Sequence, residues 1–247
     1  MLVIVNGNYK TGSTRIFTFF TELFCQYEIP AKLQAPHNVR NYQIYGNEHH
    51  LLEISNSKNV VIKTHDYFLL FNGVKAIGDC FHIYTKRRYH DVFQSHRYHF
   101  EKDRGRSISF FWYALLIGYP KMLEAMVYQD RVEQCADLVL DYHDFEAELP
   151  DLLLRFIMKN GLAVSAEEVR NAWSRSDMRG KSINNVQGSV AGRDWFTNRP
   201  ERRMTPLQRF TMNFVIRVAL LSSKIPMICR VFQIFRSRQY RRHVENC

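Results

Sequence analysis

Short apolar runs alternate along this chain with longer segments in which apolar residues recur at helical spacing. The first run is Leu2-Val-Ile-Val5, and further strand candidates lie at 32–35, 59–63, 80–85 and 138–142. Continuous apolar runs of this length are typical of parallel strands buried on both faces. The segment 13–27 has the spacing of a helix that packs on a sheet, with apolar residues at Ile16, Phe17, Phe20, Leu23 and Phe24. The alternation predicts an α/β fold, a three-layer sandwich with a mainly parallel central sheet.

The remaining pattern predicts further helices and a long loop. Helical spacing recurs at 89–100, 110–128, 145–160 and 165–176. The last of these begins with a Ser165-x-x-Glu168 capping box, and Gly161 fits the C′ position of the helix before it. Residues 179–206 are rich in Gly, Ser, Asn and Arg and predict a loop over one face. We expect one domain over 1–205 and a basic helical extension over 206–247, which Pro226 divides in two.

The positive charge of the chain is concentrated in its last third, which bears on the kind of ligand or surface it could bind. The 247 residues carry a formal charge of +10, and the chain from Arg170 onward has 16 Lys/Arg against 4 Asp/Glu. Such an excess suits a phosphate-rich ligand, an anionic acceptor or a membrane surface better than nucleic acid. The apolar stretch at 214–221 contains Arg217 and is too short to span a bilayer.

The cysteines and the first residues of the sequence indicate the cellular compartment in which we expect the protein. Five scattered cysteines form no cluster of metal-ligand spacing, which predicts a reduced, cytoplasmic protein without structural zinc. The sequence begins with an apolar strand rather than a basic segment followed by an apolar one, so we expect no signal peptide.

A glycine-containing loop connects the first predicted strand to the first helix. Residues 7–14 come close to the phosphate-binding pattern GxxxxGK[ST], and a loop that enters a helix presents backbone N–H groups to an anion. The lysine differs in position, because Lys10 lies two residues before the second glycine, where that pattern has it directly after. The candidate binding residues are Lys10, Thr11, Gly12, Ser13 and Thr14.

A histidine follows the buried run at 60–62. Lys63-Thr-His65 lies on the same sheet edge as the loop if the strands are parallel. A hydroxyl is a poor nucleophile at neutral pH, and a histidine with a pKa of about 6.5 can accept its proton. His65 is therefore the candidate general base, with Lys63 as a nearby cation. A histidine on the surface at a strand end is the alternative.

A basic turn follows the run at 80–85. Arg87, Asp91 and Ser95 are spaced four residues apart at the start of a predicted helix. A guanidinium suits bidentate phosphate recognition, and Asp91 suits a helix start. Arg88 could take the place of Arg87 through a one-residue shift in register, and a solvated helix start is the alternative to a binding site.

Taken in order, these motifs resemble those of the PAPS-dependent sulfotransferases, where PAPS is 3′-phosphoadenosine 5′-phosphosulfate. The family loop Tyr-Pro-Lys-Ser-Gly-Thr-Thr-Trp is similar to residues 9–15, its Lys-Thr-His to 63–65, its Arg-Asn-Pro-x-Asp-x-x-x-Ser to 87–95, its Phe-Tyr-Glu-Asp to 141–144 and its Gly-x-x-Gly-Asp-Trp to 188–195. The family's proline is absent, and Arg15 replaces its tryptophan. The resemblance covers residues 2–200 and implies a P-loop-like nucleotide-binding fold.

The resemblance also implies roles for individual residues. Lys10 would contact the bridging oxygen between sulfate and phosphate, and residues 12–14 would hold the 5′-phosphate. Arg87 and Ser95 would hold the 3′-phosphate, and Tyr142 would lie near the adenine, although a buried strand-end tyrosine explains it equally well. Arg193 or Lys181 would supply a cation in the loop that closes over the nucleotide. PAPS would be the sulfuryl donor, no metal would be needed, and the acceptor would be a hydroxyl of a small molecule, a lipid or a saccharide.

Two other functions stay open at this point. A P-loop small-molecule kinase would share the glycine loop, and a non-catalytic membrane-associated protein would use the basic amphipathic segment 210–243. That segment could equally pack on the domain or form a homodimer. Residues 110–113, Phe-Phe-Trp-Tyr, could line an acceptor pocket, but aromatic residues at helical spacing more often belong to the core.

Overall fold

The computed structural model describes residues 1–8, 11–24, 53, 56, 59–65, 80–104, 108–145, 149–176, 204–231 and 234. Its strands form one parallel sheet in the order β2-β1-β3-β4. They are β1 (Leu2–Gly7), β2 (Val60–Thr64), β3 (Cys80–Lys86) and β4 (Leu138–Asp141). The apolar runs therefore predicted four strands, and the fifth, at 32–35, lies outside the described residues.

The helices of the described part lie between and after these strands. In chain order they are α1 (Ser13–Phe24), α2 (Tyr89–Arg104), α3 (Phe110–Tyr113), a π-helix (Ala114–Gly118), α4 (Tyr119–Cys135), a 3₁₀-helix (Tyr142–Phe145), α5 (Leu149–Lys159), α6 (Ala166–Arg175) and α7 (Pro206–Ser223). Residues 226–231 are also helical. None of the helices seen in these ranges is both long and apolar enough to cross a membrane.

Helices cover both faces of the sheet, which confirms the three-layer α/β fold. Alternate residues of β1, such as Val3 and Val5, pack with α1, α5 and α6 on one face. On the other face Tyr84 of β3 packs with α2, α3, α4 and α7. Both faces of β1 are buried because helices lie above and below it, and this is why its sequence shows no polar alternation.

Local signals set several helix ends as predicted. Ser165 accepts a hydrogen bond from the backbone of Glu168, whose side chain accepts one from the Ser165 backbone, so the predicted capping box is present. Such a cap contributes about 1 kcal/mol. Gly161 has a φ of 68°, as the C′ position requires. The predicted loop at 179–206 lies outside the described residues except for its end, where Thr205 caps α7 and Pro206 is its first residue.

Two predicted helices differ from the observed elements. The segment predicted as one helix over 110–128 consists of α3, the π-helix and α4, and it runs on to Cys135. A β-carbon on Gly118 would collide with the ring of Phe93, so this residue is a point of close approach to α2. The helix predicted from Phe145 begins instead at Leu149, because Phe145 ends the 3₁₀-helix after β4.

The aromatic segment 110–113 divides between core and surface. Phe110 and Tyr113 are buried, whereas Phe111 and Trp112 are exposed. Burial raises the pKa of Tyr113 well above its ordinary value. Its hydroxyl lies 2.8 Å from Nδ1 of His96.

Candidate functional site

The candidate site lies at the edge of the sheet where all four parallel strands end. Gly7, Thr64, Lys86 and Asp141 are the last residues of β1 to β4. Four of the predicted motifs begin at or next to these ends, so the topology brings them to the same edge, whereas the motif at 188–195 lies outside the described residues. The contacts among the described residues show which of the predicted side chains meet at this edge.

The loop after β1 is held by hydrogen bonds within the loop and to β3. The hydroxyl of Thr11 lies 2.8 Å from the hydroxyl of Thr85 and donates to the carbonyl of Asn8 at 2.8 Å. The Thr85 hydroxyl lies 3.3 Å from the carbonyl oxygen of Asn6. The Thr11 side chain is fully buried. Its hydroxyl therefore fixes the loop rather than facing solvent.

Gly12 makes the sharp turn into α1. Its φ of 86° is in the left-handed region that favours glycine. A β-carbon here would lie 2.6 Å from Cε2 of Phe145, which follows β4. Ser13 begins α1 and Thr14 follows it, so their backbone N–H groups belong to the first turn, where an α-helix has no internal acceptors for them. The loop residues Tyr9 and Lys10 lie outside the described residues.

Lys63 of β2 reaches the start of α1. Its Nζ donates to the hydroxyl of Thr14 at 2.9 Å, although only 7% of the lysine is exposed. A cation near a helix N-terminus adds to the positive potential of the helix dipole instead of offsetting it. The ammonium group and the first turn of α1 therefore make this point of the edge attractive to an anion.

His65 follows the last residue of β2 and contacts the end of β1, where the glycine loop begins. Its Nδ1 is 2.6 Å from the carbonyl oxygen of Gly7. A carbonyl oxygen can only accept, so Nδ1 carries the proton in this contact and the basic lone pair of the neutral ring is on Nε2. The structure thus fixes the tautomer that a general base acting through Nε2 requires.

Arg87 follows β3, Tyr142 follows β4, and their side chains are in contact. The guanidinium carbon of Arg87 lies 4.1 Å from the centre of the Tyr142 ring, which is a cation–π contact. Nε of Arg87 lies 3.8 Å from a carboxylate oxygen of Asp91. The same oxygen lies 3.2 Å from Nε2 of His143. Arg88 is exposed.

Ser95 follows Asp91 by one helical turn on α2, and only 2% of its surface is exposed. Its hydroxyl is thus covered by neighbouring groups. Of the other predicted ligands, Arg193 and Lys181 lie outside the described residues. Within the described ranges no group of three His, Cys, Asp or Glu side chains could hold a metal ion.

Two residues of this edge were not predicted. Thr85 holds Thr11, and its signal was a polar residue at the end of a buried strand. His143 contacts Asp91, and its signal was its position directly after Tyr142. Both lie next to residues that the motifs do contain, so a search for polar residues at every strand end would have found them.

Comparison with known proteins gives a structural likeness. No protein-family model and no curated protein matches this chain. The crystal structure of mouse sulfotransferase SULT7A1 complexed with PAP matches with a TM-score of 0.55 and 16% sequence identity, covering 93% of this chain and 87% of that chain. The chain therefore has a sulfotransferase-like fold.

Proposed function

We propose that this chain is a PAPS-dependent sulfotransferase that transfers a sulfuryl group to an acceptor hydroxyl, with His65 as the general base. The observation that carries the proposal is the 2.6 Å contact between Nδ1 of His65 and the carbonyl of Gly7. The contact holds an imidazole beside the start of a glycine loop whose backbone N–H groups can bind an anion. A kinase would also need a base for its acceptor hydroxyl, so the choice of donor depends on the early position of Lys10 and on Arg87, which the pattern GxxxxGK[ST] does not contain.

The positive charge of the site supports an anionic donor. Lys63 and the first turn of α1 lie where the resemblance puts the 5′-phosphosulfate. Their charge would stabilise the negative charge that develops as the sulfuryl group moves. Lys10 would act on the bridging oxygen, by resemblance, since it lies outside the described residues. Gly12, Ser13 and Thr14 would hold the 5′-phosphate through backbone N–H groups.

The other end of the edge fits the nucleoside and its 3′-phosphate. Arg87 offers a planar fork of N–H donors for a phosphate, and the Tyr142 ring beneath it keeps the guanidinium in place. Tyr142 is partly exposed and presents ring surface beside the loop, as an adenine contact requires. Ser95 would complete the phosphate site. By resemblance, Arg193 or Lys181 would supply a further cation.

The likeness to the mouse enzyme adds independent support for the nucleotide. That structure contains PAP, and its fold is shared along almost the whole of this chain. We extend its ligand class to this chain because the loop, His65 and Arg87 follow three strands that end at one edge of the sheet.

In the reaction, His65 would accept the acceptor's hydroxyl proton at Nε2 while the acceptor oxygen forms a bond to sulfur. The bond between sulfur and the bridging oxygen breaks, and the bridging oxygen leaves with adenosine 3′,5′-bisphosphate. Positioning and electrostatics supply most of the rate, as in phosphoryl transfer. The acceptor belongs to the saccharides, lipids or small-molecule alcohols.

Calorimetry on the full chain tests the nucleotide directly. We expect adenosine 3′,5′-bisphosphate to bind at micromolar or lower concentration and ATP with Mg²⁺ to bind at least about tenfold more weakly, since a 3′-phosphate contact by Arg87 contributes about 1.5–3 kcal/mol. Transfer of labelled sulfate from PAPS into a cell extract tests the reaction and identifies the acceptor. Stronger binding of ATP with Mg²⁺ would favour the kinase instead.

A further inference from the structure

Helix α7 has two apolar faces, and only one of them is packed. Met212, Val215, Ile216 and Ala219 are buried against the domain, where α7 contacts α4. The opposite side carries Leu207, Phe210, Phe214 and Leu221, each between 56% and 68% exposed. Their spacing of three, four and seven residues puts them on one stripe along the helix.

A second group of exposed apolar side chains, here called the ridge, lies on two elements that contact α7. Phe111 and Trp112 of α3 and Leu115 and Leu116 of the π-helix are between 43% and 63% exposed, and both elements pack against α7. We call the stripe and the ridge together the apolar face. Single exposed apolar side chains are ordinary, but a group of large ones on neighbouring helices is typical of a surface that meets another phase or molecule.

The charge of the sequence segment that carries the stripe is of one sign. Between residues 202 and 244 the chain has ten Lys/Arg and no Asp/Glu. On α7, Arg217 follows Phe214 by three residues and precedes Leu221 by four, so it lies on the same side as the stripe. Arg217 and Lys224 are both exposed.

We propose that the apolar face docks on an anionic lipid bilayer, with the stripe and Trp112 in the interfacial layer and Arg217 and Lys224 at the headgroups. Long cationic side chains keep their charge at the headgroups while their stems cover apolar surface. Tryptophan is favoured at the interface. This inference does not depend on the catalytic assignment.

A second copy of the chain fits this face less well. In a symmetric contact the stripe would meet the stripe of the second copy, which brings both copies of Arg217 and Lys224 into one contact. The segment holds no carboxylate that could neutralise them, and like charges brought together in a contact are unfavourable. Anionic lipids supply the missing negative charge.

Vesicle binding by the full chain tests the proposal. We expect co-sedimentation with vesicles of phosphatidylcholine and phosphatidylserine, and weaker binding to phosphatidylcholine alone. The double variant F210S/F214S should lower binding at least about tenfold, because two aromatic side chains lose their burial. R217Q/K224Q should also lower it at least about tenfold, because each cation near an anionic surface contributes about fivefold. The matched control is M158S, which removes a 64% exposed apolar side chain from α5.

Insertion is separated from simple adsorption by Trp112. Bromine-labelled lipid should quench tryptophan fluorescence in the wild-type chain, and W112F should remove most of that quenching. Circular dichroism checks that each variant is folded. The proposal is overturned if the chain does not bind anionic vesicles, if M158S weakens binding as much as F210S/F214S, or if light scattering shows a dimer that F210S/F214S disperses.

Discussion

Gly12 packs so closely against Tyr142 that a β-carbon at position 12 would lie 2.7 Å from Cδ2 of that ring. The glycine belongs to the loop after β1 and the tyrosine to the turn after β4. Two strand ends thus meet at a single point of the candidate site. No side chain fits between them without moving the loop or the ring.

The variant G12A should therefore lose both stability and nucleotide binding. A φ of 86° costs a non-glycine residue about 1–2 kcal/mol, and the contact with the buried ring of Phe145 adds to this. We expect the affinity for adenosine 3′,5′-bisphosphate to fall at least about tenfold, because the loop's N–H groups are displaced. Calorimetry and thermal unfolding measure the two effects.

Gly161 provides the matched control. It also has a positive φ, of 68°, but a β-carbon there would meet no atom within 4 Å. G161A should lose about 1 kcal/mol of stability and leave nucleotide affinity within about twofold of wild type. If the two variants lose the same stability and nucleotide affinity, backbone strain alone accounts for the effect of G12A, and the argument from packing against Tyr142 and Phe145 is wrong.

The variant H65Q tests the general base. Loss of a positioned base lowers turnover by about 10²–10⁴, whereas the nucleotide contacts of the loop and Arg87 stay in place. We expect PAPS-dependent turnover to fall by that factor and bisphosphate affinity to stay within about threefold of wild type. His90, which lies near Asn213 on the surface, offers the control H90Q. Equal turnover in H65Q and wild type would exclude His65 as the base.

His82, in the interior of the sheet, predicts how stability depends on pH. Burial lowers its pKa from 6.5 to about 4, although the charge of Asp137 acts in the opposite direction. Between these values the unfolded chain binds a proton that the native chain does not, so the free energy of unfolding falls as the pH falls. This contribution is complete above about pH 6.5 and is lost toward pH 4, and it amounts to roughly 3 kcal/mol.

The variant H82L isolates that contribution. It cannot titrate, so its free energy of unfolding should change less between pH 6.5 and pH 4 than that of the wild-type chain. Urea unfolding at several pH values measures the difference in slope, which a general packing defect would not alter. Parallel pH profiles of the two proteins would show that His82 is not the group responsible.

The strands and several helix ends could be predicted because their signals are local. A strand buried on both faces shows no polar alternation, which made the first residues of β1 and β2 visible as apolar runs. The cap at Ser165 and the C′ glycine at 161 depend on residues within one turn of each other.

What the sequence did not predict depends on contacts between distant segments. The π-helix interrupts a continuous helical pattern where Gly118 approaches Phe93 of α2. The hydroxyl of Thr11 meets Thr85, 74 residues away, a contact that no local pattern indicates. The spacing of apolar residues in the sequence also could not show which face of α7 packs on the domain, because both faces carry apolar residues.

The pair Arg87 and Arg88 decides the register of the predicted 3′-phosphate site. Arg87 lies over Tyr142 and near Asp91, whereas Arg88 is exposed. A guanidinium held on two sides loses less freedom when it binds phosphate. R87A should therefore weaken binding of adenosine 3′,5′-bisphosphate about 10- to 100-fold, while R88A should change it by less than about threefold.

The ligand series shows which phosphate is involved. Adenosine 5′-monophosphate lacks the 3′-phosphate, so its affinity should be nearly the same in R87A and in the wild-type chain. A loss of both ligands in R87A would mean that the arginine supports the loop rather than the 3′-phosphate. A loss in R88A alone would move the site by one residue, away from the tyrosine, and Tyr142 would then have no part in holding the phosphate ligand.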